Sequence, residues 1–342
     1  MKQIRLLTIF TLCAFLALGC EKKSQGGVPD WPWETPDTPD EPDQPGEEGW
    51  TDVTSSYTSL PEYVKIFKAS QTLLEVNAVA YIAQVDLSKT SFEVWGINAP
   101  DLQGCDEPLQ TPSQVYEAQG KPSVIINAGY FYTSGGKSYS SSLEVSNSTL
   151  LSPNINYASQ DWVTVYYPTR GAFLEHEDGT YEVCWTYWKD ASTHYIYDTV
   201  AENSWDAKPK QTPGADFPSK ARTFEAKNGI GGAPVLIKDG VIKNTYKEEL
   251  IEINADERHP RTAIGITADK QLVLFVCEGR NMTEGVPGFT TGEVAQILKD
   301  FGCTDALNLD GGGSTLMLVN GQEMLKPSDG KQRSVASCVY IK

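Results

Sequence analysis

Between residues 79 and 341 the chain is a succession of apolar runs four to eight residues long, each stopped by glycine, proline or a charged turn. Runs of that length, rich in β-branched and aromatic residues, suit buried or half-buried strands and are too short for packed helices. Residues 79–85, 92–97, 123–127, 162–167, 181–188, 261–267, 272–278, 306–309, 316–319 and 335–341 are expected as strands. Aromatic residues crowd 162–167 and 181–188, with Glu177-Asp178-Gly179-Thr180 as the turn before the second. One helical repeat is clear: Val294, Ile297, Leu298 and Phe301 share a face, Thr290 and Glu293 form a capping box, and Gly302 follows as a stop. A second, shorter helix is expected near residues 113–119. Many strands with few helices, not in regular alternation, predict an α+β fold. Its core is a β-rich mixed or antiparallel sheet within a single large domain over residues 51–342.

The N-terminal segment reads differently. Lys2 and Arg5 precede an apolar run over residues 6–18, and Gly19-Cys20 follows. This pattern predicts a lipoprotein signal peptide over residues 1–19, with Cys20 lipidated as the new N-terminus. Residues 20–50 are acidic, proline-rich and almost free of aliphatic side chains, so they cannot bury enough surface to offset their chain entropy. They are expected as a disordered tether holding the domain off a membrane. The location this implies is the bacterial cell envelope, exported and lipid-anchored.

Charge narrows the partners. The formal net charge of −17 divides into +2 over residues 1–20, −7 over 21–50 and −12 over the remainder. An acidic body argues against nucleic acid and against a peripheral grip on anionic lipid, leaving the lipid anchor as the membrane link. An anionic substrate must then be held by a few locally placed arginines. Cys105, Cys184, Cys277, Cys303 and Cys338 are odd in number and lack C-x-x-C spacing, so buried thiols are expected rather than a disulfide framework. His176, His194 and His259 have no zinc-ligand spacing, and no metal or other cofactor is expected. An acidic glycine loop by itself leaves calcium open.

Four segments are candidates for chemistry. If residues 268–271 form a four-residue turn, Arg261 lies opposite Glu278 and His259 opposite Arg280, all at one end of a hairpin. That cluster is either a site or a surface salt bridge, and a slip of one residue would separate Arg261 from Glu278. In Asn308-Leu309-Asp310-Gly311-Gly312-Gly313-Ser314 a short strand delivers an aspartate into three glycines, whose N–H groups can form an anion nest. The loop lacks the lysine and following helix of a nucleotide P-loop. Asn127 closes another strand before Ala128-Gly129-Tyr130-Phe131. It suits a sugar hydroxyl or a phosphate oxygen and Tyr130 suits stacking on a sugar ring, but turn-capping and core packing explain them equally. The fourth is the glycine-rich run over residues 228–237. A faint echo also links Arg170-x-Ala172-Phe173 with Asp178 to Arg261-x-Ala263-Ile264 with Asp269, as if two related hairpins were present.

Taken in order, Ile126 to Phe131, Gly232-Ala233-Pro234-Val235-Leu236-Ile237, Arg258-His259-Pro260-Arg261-Thr262-Ala263-Ile264-Gly265, Glu278-Gly279-Arg280 and Asn308 to Ser314 resemble the phosphodiester glycosidase family. The resemblance runs from about residue 79 to the C-terminus and extends to Thr290, Thr291, Glu293 and Arg333. Glu278 stands where that family has Asp, Lys270 stands where it has Gly, and residues 162–205 fit it poorly, as a groove peculiar to this chain would. The resemblance implies hydrolysis of a sugar-1-phosphate diester, an N-acetylglucosamine-1-phosphodiester-like bond, in an envelope or extracellular glycan. Such a reaction passes through an oxocarbenium-like state that carboxylates stabilise or attack. Asp310 is expected as the principal carboxylate and Glu278 as the second. Glu293 is a third whose capping role explains it without catalysis. The resemblance further implies substrate contacts from Asn127, Gly129, Tyr130, Gly232, Arg258, His259, Arg261, Arg280, Asn308, Gly311, Gly312, Gly313, Ser314 and Arg333. The competing reading is a non-catalytic glycan-binding envelope lipoprotein on the same scaffold. A third, hydrolysis of an unphosphorylated glycan, leaves the arginines without a task.

Overall fold

The computed structural model describes residues 48–342; the expected signal peptide, Cys20 and the expected tether up to residue 47 lie outside the described residues. Three sheets carry the fold, and every strand pairing among the described residues is antiparallel, so the mixed option is not realised. The largest runs Trp50–Asp52, Val64–Ala69, Ala80–Asp86, Gln271–Cys277, Arg261–Thr267, Cys303–Asn308, Val235–Lys238 and Val241–Ile242. A second sheet centres on Asn228–Gly232, Arg170–Glu175 and Tyr181–Asp190, and a third on Met317–Val319, Val124–Asn127 and Ser337–Ile341.

Alternation along the strands sets the layers. Ile264 and Leu274 of the large sheet face inward to meet Ile126 of the third sheet and Phe173 and Ile230 of the second. Their neighbours Ala263 and Phe275 face outward beneath the helix Thr291–Asp300, packed with Val294 and Leu298. Both faces of the large sheet are therefore buried, which is why its strands are continuously apolar instead of alternating with polar residues. The short helix Pro112–Ala118 covers the outer face of the third sheet through Val115.

Several expectations are corrected. Residues 162–167 are not a strand. The Asp161 carboxylate accepts the N–H groups of Val163 and Thr164 at 2.9 and 2.7 Å, forming a turn that leaves Trp162 87% and Val163 84% exposed. Strand pairing begins at Trp50, inside the segment expected as tether. Trp50 pairs with Ala69 and packs edge-on against Phe275 and Phe301 at 6.4 and 5.8 Å. The glycine-rich Asn228–Gly232 is itself a buried strand, because a β-carbon at Gly232 would overlap the Asn308 carbonyl of the layer below.

The register of the hairpin is corrected too. Arg261 pairs with Cys277, one residue short of Glu278. The turn uses three residues, not four, because Lys270 takes a left-handed conformation at φ +63° and its N–H donates to the Thr267 carbonyl at 3.1 Å. Glu278 consequently faces the other side of the sheet from Arg261. The faint echo has a physical counterpart. Arg170 and Arg261 both begin strands of antiparallel hairpins, and both guanidiniums donate to main-chain carbonyls of the segment over residues 249–257.

Candidate active site

The first and third sheets meet at Asp310. Its N–H donates to the Ala128 carbonyl at 2.8 Å, and its own carbonyl accepts from Asn127 Nδ2 at 2.6 Å. Asn127 is completed by Thr262 Oγ1 at 2.8 Å and the Leu316 N–H at 3.0 Å, both on its Oδ1. This amide is spent on scaffolding and holds the aspartate's backbone in place. The Asp310 carboxyl borders a cavity of about 270 Å³, lined also by Tyr130, Glu252, Ile253, Asn254, His259, Arg261, Arg280, Gly311, Gly312, Gly313 and Arg333.

Burial pushes the Asp310 carboxyl up to about 6, against the opposing pull of the Ser314 hydroxyl, the Arg333 charge and the Gly311 N–H. Around it the glycines make room for cations. A β-carbon at Gly312, which has φ +60°, would lie 2.9 Å from Arg280 Nη2, and one at Gly313 would overlap Arg333 Nη2 and Asp329 Oδ2. Asp329 bridges the two arginines: it accepts from Arg333 Nε and Nη2 at 2.9 and 2.6 Å and lies 4.0 Å from Arg280 Nη1. Their side chains remain 45% and 41% exposed, so each keeps N–H groups beyond the Asp329 pairing that an anion in the cavity can use.

Arg261 differs. It is buried, and its guanidinium donates to the carbonyls of Phe289, Ile253, Asn254 and Glu257 at 2.8 to 3.1 Å. Four of its five N–H groups are thus engaged in fixing the cavity wall, which it also lines. Tyr130 is similarly committed: its hydroxyl donates to the Ala233 carbonyl at 2.7 Å and accepts from Asn308 Nδ2 at 2.8 Å. Burial, with the Asp310 charge adding, holds that phenol well above its ordinary range, so it stays protonated. His259 reaches the cavity with Nε2 3.3 Å from Glu257 Oε2.

The remaining expected site residues lie behind or away from the cavity. Gly129 donates its N–H to Ser337 Oγ at 2.9 Å, Gly232 packs on the Asn308 backbone, and Asn308 and Ser314 are buried in the supporting layer. Glu278 accepts the Lys326 N–H at 2.9 Å and lines a different cleft with Val79, Met282 and Met324. Glu293 caps its helix through the Thr290 N–H at 2.8 Å and pairs with Arg258 at 2.6 Å, outside the cavity. Asp310 alone of the three expected carboxylates reaches the cavity. The wall Glu252-Ile253-Asn254 and the bridging Asp329 carried no motif, and the arginine echo was the one trace of that wall. Among the described residues no group of three or more His, Cys, Asp or Glu is placed to hold a metal ion.

Residues 120–342 match the protein family described as phosphodiester glycosidase. The chain is 31% identical over 122 residues to N-acetylglucosamine-1-phosphodiester alpha-N-acetylglucosaminidase of Mus musculus, covering 32% of this chain and 22% of that protein. It is also 31% identical over 116 residues to the SPbeta prophage-derived uncharacterized protein YomE of Bacillus subtilis (strain 168), covering 34% of this chain and 17% of that protein. The matched region thus spans less than a quarter of either relative. Among solved structures, the zebrafish N-acetylglucosamine-1-phosphodiester alpha-N-acetylglucosaminidase catalytic domain, auto-inhibited by its pro-peptide, superposes with a TM-score of 0.54 at 21% identity, over 83% of this chain and 85% of that one. A hypothetical protein from Synechocystis gives 0.53 at 16% identity, over 85% and 67%. At such identities these two likenesses show a shared fold.

Proposed function

The chain belongs to the phosphodiester glycosidase family, and we propose that it hydrolyses the anomeric C–O bond of a sugar-1-phosphate diester of the N-acetylglucosamine-1-phosphodiester type. The observation that carries this reading is the meeting of the Asp310 carboxyl with the half-exposed guanidiniums of Arg280 and Arg333 at one cavity. A neutral glycan would leave the two cations without an anion to hold, and a buried carboxyl raised to about 6 beside them suits turnover.

In this reading the phosphate lies against Arg280, Arg333 and the N–H groups of the glycine loop, with the anomeric carbon toward Asp310. As the C1–O bond breaks, the ionised Asp310 stabilises or attacks the cationic sugar. The leaving phosphate monoester needs positive charge more than a strong acid, and the two arginines supply it. Glu252, which also lines the cavity and is held by Gln160, is the second carboxylate available to activate water. The test is to supply N-acetylglucosamine-phospho-mannose and follow free sugar. Release of N-acetylglucosamine and mannose phosphate is expected, with Asp310→Asn inactive. A folded wild-type protein that binds the diester without releasing sugar would favour the glycan-binding alternative. We further propose that Cys20 anchors the protein in the cell envelope; labelled fatty acid on a Cys20→Ser variant would contradict this.

A further inference from the structure

Glu144 carries a carboxyl that the proposed reaction does not use. It begins the strand Glu144–Ser146, is fully buried, and pairs with Ile230 on one side and Ser152 on the other. Its Oε2 has no hydrogen-bond partner, and a β-carbon at Gly96 on a neighbouring strand would overlap that oxygen. Among the described residues no charged side chain acts on it. An ionised carboxylate there would be a buried charge without a counterion.

The hydroxyl of Ser140 points to the same protonation state. Ser140 Oγ lies 2.6 Å from Glu144 Oε1 and 3.1 Å from the Ser142 carbonyl oxygen, and it accepts the Ser142 N–H at 3.3 Å. A hydroxyl has one proton to give. With Glu144 neutral, its O–H donates to Ser140, the Ser140 hydroxyl donates to the Ser142 carbonyl, and every proton on this path has an acceptor. With Glu144 ionised, Ser140 must turn its proton to the carboxylate, and the Ser142 carbonyl loses that donor. Burial raises the Glu144 carboxyl to about 8, against the pull of the Ser140 and Ser337 hydroxyls. The titratable groups beside it are the thiols of Cys338 and Cys105. Burial pushes both up, a charge on Glu144 would raise them further, and so they stay neutral where Glu144 titrates.

The path from Ser140 ends at the cavity. Ser142 Oγ accepts the Tyr130 N–H at 2.9 Å, and the Ser141 N–H donates to the Tyr130 carbonyl at 2.8 Å. A β-carbon at Gly129 would lie 2.6 Å from Ser142 Cβ, so residues 140–142 clasp the turn Gly129–Tyr130 closely. Tyr130 lines the cavity, and Ala128, just before the turn, accepts the Asp310 N–H at 2.8 Å. A shift of this turn therefore reaches both residues.

We propose that Glu144 is a positioning residue: while its carboxyl holds a proton it keeps residues 140–142 clasped on Gly129–Tyr130, and loss of that proton loosens Tyr130 and Asp310 at the cavity. The effect on turnover rests on the diester reading above.

The experiment measures kcat/KM on N-acetylglucosamine-phospho-mannose from about pH 5 to about pH 9, for the full chain and for Glu144→Gln, whose amide offers Ser140 a hydrogen at every pH. In the wild type the plateau reached as Asp310 ionises should end near pH 8, with kcat/KM about tenfold lower at pH 9 than at pH 7. Glu144→Gln should hold its own plateau through pH 9. If that variant does not fold, Glu144→Leu, of similar size and with no proton to lose, answers the same question. Melting temperature reads the same proton without substrate. The raised carboxyl favours the native state while protonated, so the wild type should lose melting temperature relative to the variant as pH rises from about 5 to about 8, and the difference should then level. A wild-type plateau unbroken to pH 9, or an equal alkaline fall in Glu144→Gln, overturns the proposal and leaves the diester reading intact. If neither protein cleaves the diester, that reading fails and the melting profile decides. A difference that shrinks up to about pH 8 supports Glu144 as the proton that holds the turn, and a constant difference overturns it.

Discussion

Asn127 Nδ2 donates to the main-chain oxygen of Asp310 at 2.6 Å, so a buried amide on one sheet fixes the backbone of the carboxylate carried by another. Asn127→Ala would strand the Asp310 carbonyl, the Leu316 N–H and the Thr262 hydroxyl in a dry interior. The expected cost is about 3 kcal/mol or more of stability, read by denaturant titration. Surviving folded protein should lose kcat more than KM, because the carboxylate is misplaced while the arginines still hold the phosphate. Wild-type stability in this variant would remove Asn127 from its scaffolding role.

Asp310 should link activity and stability with opposite signs. Burial raises its folded value to about 6, above that of an unfolded carboxyl. Its protonated form therefore favours the native state, and that contribution is lost as pH rises toward 6. The ionised form serves catalysis, so kcat/KM should climb through about pH 6 and level off above it. Asp310→Asn should lower turnover by ~2 kcal/mol or more, and at pH 8 it should leave melting temperature equal or slightly higher. Full turnover in this variant would end the catalytic assignment.

Truncation tests where folding begins. A chain starting at residue 48 should match the longer protein in melting temperature and in activity on a soluble diester. Starting at residue 53 removes Trp50 from its contacts with Phe275 and Phe301, and should cost about 2 kcal/mol. Scanning calorimetry on the two truncations separates these outcomes; equal stability would mean that the first strand is dispensable.

Most strands were legible because their apolar runs are bounded by strong turn residues, and the helix Thr291–Asp300 because capping box and periodicity agree. Residues 162–167 misled because Trp162 and Val163, which read as strand residues, are turned outward by one side chain, Asp161, whose hydrogen bonds to the backbone no pattern announces. The hairpin register turned on a single non-glycine residue in a left-handed conformation, Lys270. The loop of Asp310 stood out because glycine at such density is costly unless something must come close, Arg280 stood out at the end of a hairpin, and Arg333 only through the family resemblance. Glu252, which lines the cavity, and Asp329, which pairs with its arginines, were not, since both sit in irregular loops whose path is set by tertiary contacts.

The pair Arg258–Glu293 offers a control. Glu293 caps the helix and neutralises an arginine with a 44% exposed side chain, so its contribution is to stability. Glu293→Ala should cost about 1 kcal/mol through the lost cap and leave kcat within about twofold of wild type. A loss of activity as large as that of Asp310→Asn, in a protein of near-normal melting temperature, would restore Glu293 to the catalytic set.

Three arginines border the cavity and should fail in two different ways. Arg280 and Arg333 are half-exposed and share Asp329, so truncating either removes a positive charge without opening the core. Arg280→Ala and Arg333→Ala should keep their melting temperatures, while kcat/KM falls by ~2 kcal/mol as an anion-binding group is lost from both ground and transition states. Arg261 is 3% exposed, and its removal would leave the carbonyls of Ile253, Asn254, Glu257 and Phe289 without a donor. Arg261→Ala should therefore destabilise by about 3 kcal/mol or more and distort the wall on which Glu252 stands. Arg261→Lys should recover little, because one ammonium cannot reproduce a planar fork gripping four carbonyls. Measuring melting temperature and kcat/KM on all four variants separates clamp from scaffold. A stable Arg261→Ala with selectively weakened diester binding would return that residue to the phosphate.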